Sequence, residues 1–245
     1  MKRKAPENSK SQPTKKYKKS TTQSNSVVTT YTPEVKGIDT AVGTNEIVAS
    51  YSTNENSYAL NLITQGAGSW NRIGRKISLK SVRLRGRVVW KYKQNANATI
   101  GLQSNGVRML LIWDRQPNGG AIPNFNQIFG RTDYAGIGTV QLTDSLLYGQ
   151  MSRYKVIYDK MYTLNPDVVH GDSATDYIKQ KSVWIDKFIN LKNLESTYQA
   201  STTPPTVADI STGALYLVFR SAVNDANINW VTAGNFSARL RYIDA

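Results

Sequence analysis

Between residues 77 and 92, Val82, Leu84, Gly86, Val88, Trp90 and Tyr92 alternate with Arg83, Arg85, Arg87, Val89 and Lys91. A period of two puts one set on each face of an extended chain, whereas a helix would scatter both sets around its axis. This segment can only be a long strand with one apolar and one basic face. The rest of the chain follows suit. Residues 107–113 form a continuous apolar run that fits a strand buried on both faces. Residues 58–63, 154–163, 182–191, 214–219 and 236–243 are further strand candidates. In the last of these, Phe236, Ala238, Leu240 and Tyr242 alternate with Arg239 and Arg241.

Polar connectors rich in Gly, Pro and Asn separate the strands, among them residues 114–120 and 200–209 with Pro204-Pro205. Only residues 124–129 and 143–148 could make a helical turn. Seven or eight strands over about 200 residues, with almost no helical period, predict one all-β domain, an antiparallel sandwich or jelly roll. The connector spanning 116–150 exceeds ordinary loop length and is expected to be functional or interface-forming. There is no internal repeat.

The first 45 residues behave differently. Residues 1–20 hold Lys2, Arg3, Lys4, Lys10, Lys15, Lys16, Lys18 and Lys19 against one acid, Glu7; this segment carries half of the net charge of +14. It lacks Val, Ile, Leu and Phe, so it cannot bury enough apolar area to offset the entropy of ordering it. Residues 1–45 therefore read as a disordered basic arm, with at most a short strand near Val27 and Val28, and residues 46–245 as the folded domain. A flexible polycation on a globular body calls for a polyanion, nucleic acid above all. The two clusters, Lys2-Arg3-Lys4 and Lys15-Lys16-Tyr17-Lys18-Lys19, also have the spacing of a bipartite nuclear import signal; the competing reading is a solubilising tail.

A second basic concentration runs from Arg72 to Lys93 without an acid. Its Arg72, Arg75, Lys76, Arg83, Arg85 and Arg87 are candidate nucleic-acid contacts. Alternate residues of a strand stand about 7 Å apart, close to the phosphate spacing of an extended single strand. Equally, these charges could form a solvated sheet face paired with acids on neighbouring strands. The five tryptophans, at 70, 90, 113, 184 and 230, could stack on bases, but most lie within or beside strand candidates and are expected in the core; Tyr17, inside the arm, is the aromatic placed to stack on a base.

Enzymatic chemistry is not expected. There is no cysteine, which removes thiol catalysis and Cys-based zinc sites. A single histidine, His170, forbids a two-histidine metal pair, no phosphate-binding Gly-rich loop is present, and the carboxylates are scattered. No apolar run approaches the roughly 18 residues of a membrane-spanning helix. No apolar segment follows the basic N-terminus as in a secretory signal, so retention in the cytosol or nucleus is expected and Asn97 and Asn235 are expected to remain unglycosylated.

Four segments carry a family resemblance. The run Arg72-Ile-Gly-Arg-Lys-Ile-Ser-Leu-Lys-Ser-Val-Arg-Leu-Arg-Gly-Arg resembles the early strand of geminivirus-like coat proteins. Met109-Leu-Leu-Ile-Trp-Asp-Arg-Gln-Pro117, with Phe125-Asn-Gln-Ile-Phe129 after it, resembles that family's apolar strand, turn and short helical segment. Tyr154-Lys-Val-Ile-Tyr-Asp-Lys160 and Ala238-Arg-Leu-Arg-Tyr-Ile-Asp244 resemble later strands in the same order. The resemblance implies a single eight-stranded jelly-roll capsid protein, a homo-oligomer forming a small icosahedral shell. It also implies an internal arm bound to a circular single-stranded DNA genome, a host nuclear import receptor as partner, and residence in the virion and host nucleus. Family members carry cysteines and histidines read as zinc-binding; the arm has none, so no metal or other cofactor is expected. Two other readings stay open: a non-assembling nuclear single-stranded-DNA shuttle or movement protein, and a carbohydrate-binding jelly roll.

Overall fold

The computed structural model describes residues 34–42, 57–92, 105–117, 120–133, 136–137, 142–164, 168–169, 177–178, 181–221 and 229–244. The arm residues Lys2 to Lys19, the segment around Val27 and Val28, and His170 lie outside these residues.

The described chain is an antiparallel all-β structure. Five strands form one sheet: β1 (Lys36–Val42), β3 (Lys76–Tyr92), β10 (Lys181–Tyr198), β11 (Ile210–Thr212) and β13 (Asn229–Asp244), in the order β1-β13-β3-β10-β11. Four form a second: β2 (Ser57–Ala59), β4 (Asn105–Asp114), β7 (Tyr154–Leu164) and β12 (Ala214–Ser221), in the order β2-β12-β4-β7. Two-residue ribbons pair β5 (Thr132–Asp133) with β6 (Gly136–Ile137), and β8 (Val168–Val169) with β9 (Tyr177–Ile178).

A single apolar core draws on both sheets. Leu79, Val82, Leu84 and Val88 of β3 and Leu240 and Tyr242 of β13 are fully buried with Met109 to Ile112 of β4 and Leu215 to Leu217 of β12. The alternation along β3 is realised as predicted, since Arg83, Arg85 and Arg87 are exposed while Leu84, Gly86 and Val88 are buried. The continuous run in β4 is buried on both faces, also as predicted. Phe219 meets Phe236 edge-on at 5.1 Å and ties β12 to β13. Gly86 is obligatory at this point: a Cβ there would overlap the Phe236 ring and come within 2.8 Å of the Phe236 Cα.

Several elements differ from expectation. Residues 36–42, inside the span read as arm, form an edge strand paired with β13 along its whole length, from Lys36↔Tyr242 to Val42↔Phe236. With only Ile38 and Val42 as large apolar residues, its stability comes from a neighbour that sequence pattern cannot identify. β10 extends to Tyr198 because Lys192 and Asn193, at φ 52° and 60°, absorb a register shift and let the strand resume. In the predicted strand 58–63 only Ser57–Ala59 pairs. Asn61 turns inward instead: its Nδ2 donates to Ser196 Oγ and Gly213 O, both at 2.9 Å, and its Oδ1 accepts from Leu215 N. A buried polar side chain must be hydrogen-bonded, and this one is satisfied by three segments at once.

The long connector is folded back onto the sheet by buried charge. Arg108 of β4 donates to Leu142 O and Asp144 O and forms a two-point pair with Asp159 at 2.9 and 2.6 Å. Its guanidinium lies 4.9 Å from the ring centre of Phe129. Asp114, fully buried, takes a two-point pair from Arg153 at 2.9 and 2.8 Å and fastens the other end. The expected helical turn at 124–129 is one turn, Phe125–Ile128, begun by Asn124 N–H donating to Gln127 Oε1. The second, at 143–148, is displaced to a 3-10 turn at Tyr148–Gln150.

Candidate nucleic-acid interface

The outward face of the five-stranded sheet is a basic surface assembled from four strands. In register, Asp39 of β1 faces Arg239 of β13, Arg239 faces Arg83 of β3, and Arg83 faces Phe188 of β10. The next row is Ser237, Arg85 and Asp186, and the row beyond pairs Arg87 with Trp184. On the other side Arg241 faces Ser81. The side chains of Arg83, Arg85, Arg87, Arg239 and Arg241 are all exposed. Trp184 and Phe188 are 75% and 67% exposed, unusual for such large apolar groups.

Two shallow depressions share a wall on this face. One, of about 200 Å³, is lined by Asp39, Arg83, Arg85, Ser237 and Arg239. The other, of about 310 Å³, is lined by Ser81, Arg83, Phe188, Arg239 and Arg241. Arg83 and Arg239 belong to both. Asp186 accepts from Arg83 Nε and Nη2 at 2.9 and 2.8 Å and lies 3.3 Å from Arg85 Nε. Asp39 accepts from Arg239 Nε and Nη2, both at 2.7 Å. These hydrogen bonds hold both carboxyls below the ordinary aspartate pKa and raise those of Arg83 and Arg239. The reading of a sheet face paired with acids on neighbouring strands is met in part: Asp39 and Asp186 pair with Arg239, Arg83 and Arg85, while among the described residues no ion pair holds Arg87 or Arg241.

The other candidates divide. Arg75 is exposed ahead of β3, and Lys76 pairs with Glu195 at 2.7 Å. Arg72 is not a surface contact. It is 1% exposed and donates to Ile63 O, Gly74 O and Ala200 O at 3.2, 2.7 and 2.8 Å, with its guanidinium 4.1 Å over the Tyr198 ring. It precedes β3 and turns inward, where its planar guanidinium donates to carbonyls of three separate segments at once. The tryptophans also depart from expectation. Trp113 is buried, but Trp184 lies on the outward face of β10 and Trp70, 62% exposed, sits in the turn before β3.

The sequence reading does not single out Arg239, Arg241, Phe188 or the two aspartates as parts of this face, and it favours the core for Trp184. The alternation in 236–243 already set its arginines on one face, but their adjacency to Arg83 and Arg85 depends on β13 pairing with β3 across roughly 150 residues. Among the described residues, no group of three or more His, Asp or Glu is arranged to hold a metal ion.

The family model described as geminivirus coat protein/nuclear export factor BR1 matches residues 1–242. No curated protein matches the chain. Among solved structures, that of the infectious bursal disease virus Gt strain aligns at 9% identity and a TM-score of 0.19, covering 84% of this chain and 32% of that one. The chain thus spans about a third of that neighbour's length.

Proposed function

The chain belongs to the geminivirus coat protein/nuclear export factor BR1 family, and from that premise we propose that it is a capsid protein that packages single-stranded DNA. In this reading copies of the chain form a closed icosahedral shell, and the basic arm and the arginine-rich sheet face bind the genome without sequence preference. The observation that carries the reading is the outward cluster of five arginines, three along β3 and two along β13, flanked by exposed Trp184 and Phe188 of β10. Cations about 7 Å apart follow a phosphate chain, and exposed rings accept unstacked bases of any identity.

The strand order supports a jelly roll. If β1, β2, β3, β4, β7, β10, β12 and β13 are taken as strands one to eight, the sheets run 1-8-3-6 and 2-7-4-5. Each sheet then interleaves early and late strands, as two Greek keys wrapped together do. β11 is an addition to the edge of strand six. The arm ends ahead of β1, and its paired clusters Lys2-Arg3-Lys4 and Lys15 to Lys19 serve nuclear import through a host receptor. Such a protein resides in the virion and passes through the host nucleus, and its function calls on no catalytic group.

The family description names a nuclear export factor beside the coat protein, which favours one alternative: a DNA-binding shuttle that does not assemble. Negative-stain microscopy of the purified full chain separates the two. Closed particles with the ultraviolet absorbance of nucleic acid are expected; monomers or dimers across a wide range of buffers, still binding DNA, would overturn the capsid reading and leave the shuttle.

A further inference from the structure

On the basic face, two carboxylates are paired with the arginines of β3 and β13. Arg83 and Arg239 are directly opposed across β3 and β13, a like-charge pair that destabilises a sheet unless it is screened. Asp186 and Asp39 screen it from either side, and each engages the Nε and Nη2 edge of one guanidinium, the edge that also grips a phosphate. Asp39 lines the same depression as Arg83, Arg85 and Arg239. Asp186 touches two of those three arginines.

We infer that Asp39 and Asp186 are built-in competitors of the nucleic-acid backbone that hold down the affinity of this face. The inference rests on the proposed nucleic-acid reading and deepens it. In the empty protein the carboxylates keep the guanidiniums extended and cancel two of the five arginine charges. Phosphates entering the row exchange with them, and because all four side chains are about half exposed the exchange opens no buried charge. The face can therefore take up a polyanion and also release it, as delivery of a packaged genome requires. With both acids present the patch presents about three net cations, and without them five.

The test uses the full chain and a fluorescent single-stranded oligonucleotide titrated at several salt concentrations. Asp39→Asn and Asp186→Asn each add one cation, which steepens the slope of log K against log salt by about 0.7. At about 0.15 M salt that corresponds to roughly fourfold tighter binding per substitution and about fifteenfold for the double variant. Glu34→Gln makes the same net charge change at an exposed residue ahead of β1 that lines neither depression and pairs with none of the five arginines, and is expected to leave binding unchanged. Arg87→Ala with Arg241→Ala reports on the reading itself. If that pair leaves the slope unchanged, the face does not contact nucleic acid, and both its proposed role in binding the genome and the inference fall. If it lowers the slope while the asparagine variants bind no tighter than the parent, or more weakly, the face binds DNA but the acids are scaffolding, and the inference alone is refuted.

Discussion

Gly86→Ala should unfold the domain at markedly lower denaturant concentration, although it adds a single methyl group. The new Cβ would sit inside the Phe236 ring and 2.8 Å from the Phe236 Cα, so rotating the ring does not relieve the clash. Either β13 moves off β3 or Phe236 leaves the core. Overpacking of this kind costs about 1–3 kcal/mol. Partial expulsion of Phe236, which is 2% exposed, adds up to about 1 kcal/mol from the lost edge-on contact with Phe219. The gain from a less flexible unfolded chain, about 0.4–1 kcal/mol, offsets only part of this. The net loss is about 2 kcal/mol, or a Tm lower by roughly 4–8 °C for a domain of this size. Urea unfolding of the unassembled subunit followed by tryptophan fluorescence measures it, and a double-mutant cycle with Phe236→Ala isolates the cause. In that background the overlap with the ring is gone and only the close approach to the backbone of residue 236 remains, so the penalty of the alanine should shrink. An equal penalty in both backgrounds, or no penalty in the parent, would refute the reasoning.

Deleting residues 1–32 removes about seven net charges and should flatten the slope of log K against log salt for single-stranded DNA by roughly 5, leaving a residual slope from the sheet face. Arg72→Ala removes three hydrogen bonds to carbonyls, the one at Ile63 buried, together with the stacking on Tyr198, and should cost about 2–3 kcal/mol in urea unfolding, whereas Arg87→Ala should leave stability within about 0.5 kcal/mol and weaken only DNA binding. In alkali, burial raises the Tyr154 hydroxyl to about 12 and also raises those of Tyr162, Tyr198, Tyr216 and Tyr242. Their contribution to stability is complete below about pH 10, where the unfolded tyrosines titrate, and is lost as pH rises through the folded values. Tyrosinate absorbance should therefore appear together with unfolding above about pH 10; gradual ionisation of these five tyrosines in the folded state would contradict their burial.

What could be read before folding was the set of strands whose pattern is strictly local. The alternation in 77–92 and 236–243 and the apolar run at 107–113 each state a period and a burial class by themselves, and all three appear as strands in the structure. Elements sustained from outside were not legible. β1 exists because β13 lies beside it, and the strand expected at 58–63 stops at Ala59 because Asn61 is more useful turned into the core. The same division runs through the site. That Arg83, Arg85 and Arg87 share a face follows from chain geometry alone.

The basic charge and the class of fold are properties of the sequence itself, since charge adds over residues and strand period is a relation between neighbours. Which charges act together was decided by tertiary structure. Arg72, from the same basic run, is withdrawn into the core by carbonyls at positions 63, 74 and 200, while Arg239 and Arg241 join the row from the far end of the chain. Asp39 and Asp186 are separated from their arginines by 200 and 103 residues. Electrostatic contact depends on distance in space, and strand pairing alone brings those distances to hydrogen-bond length.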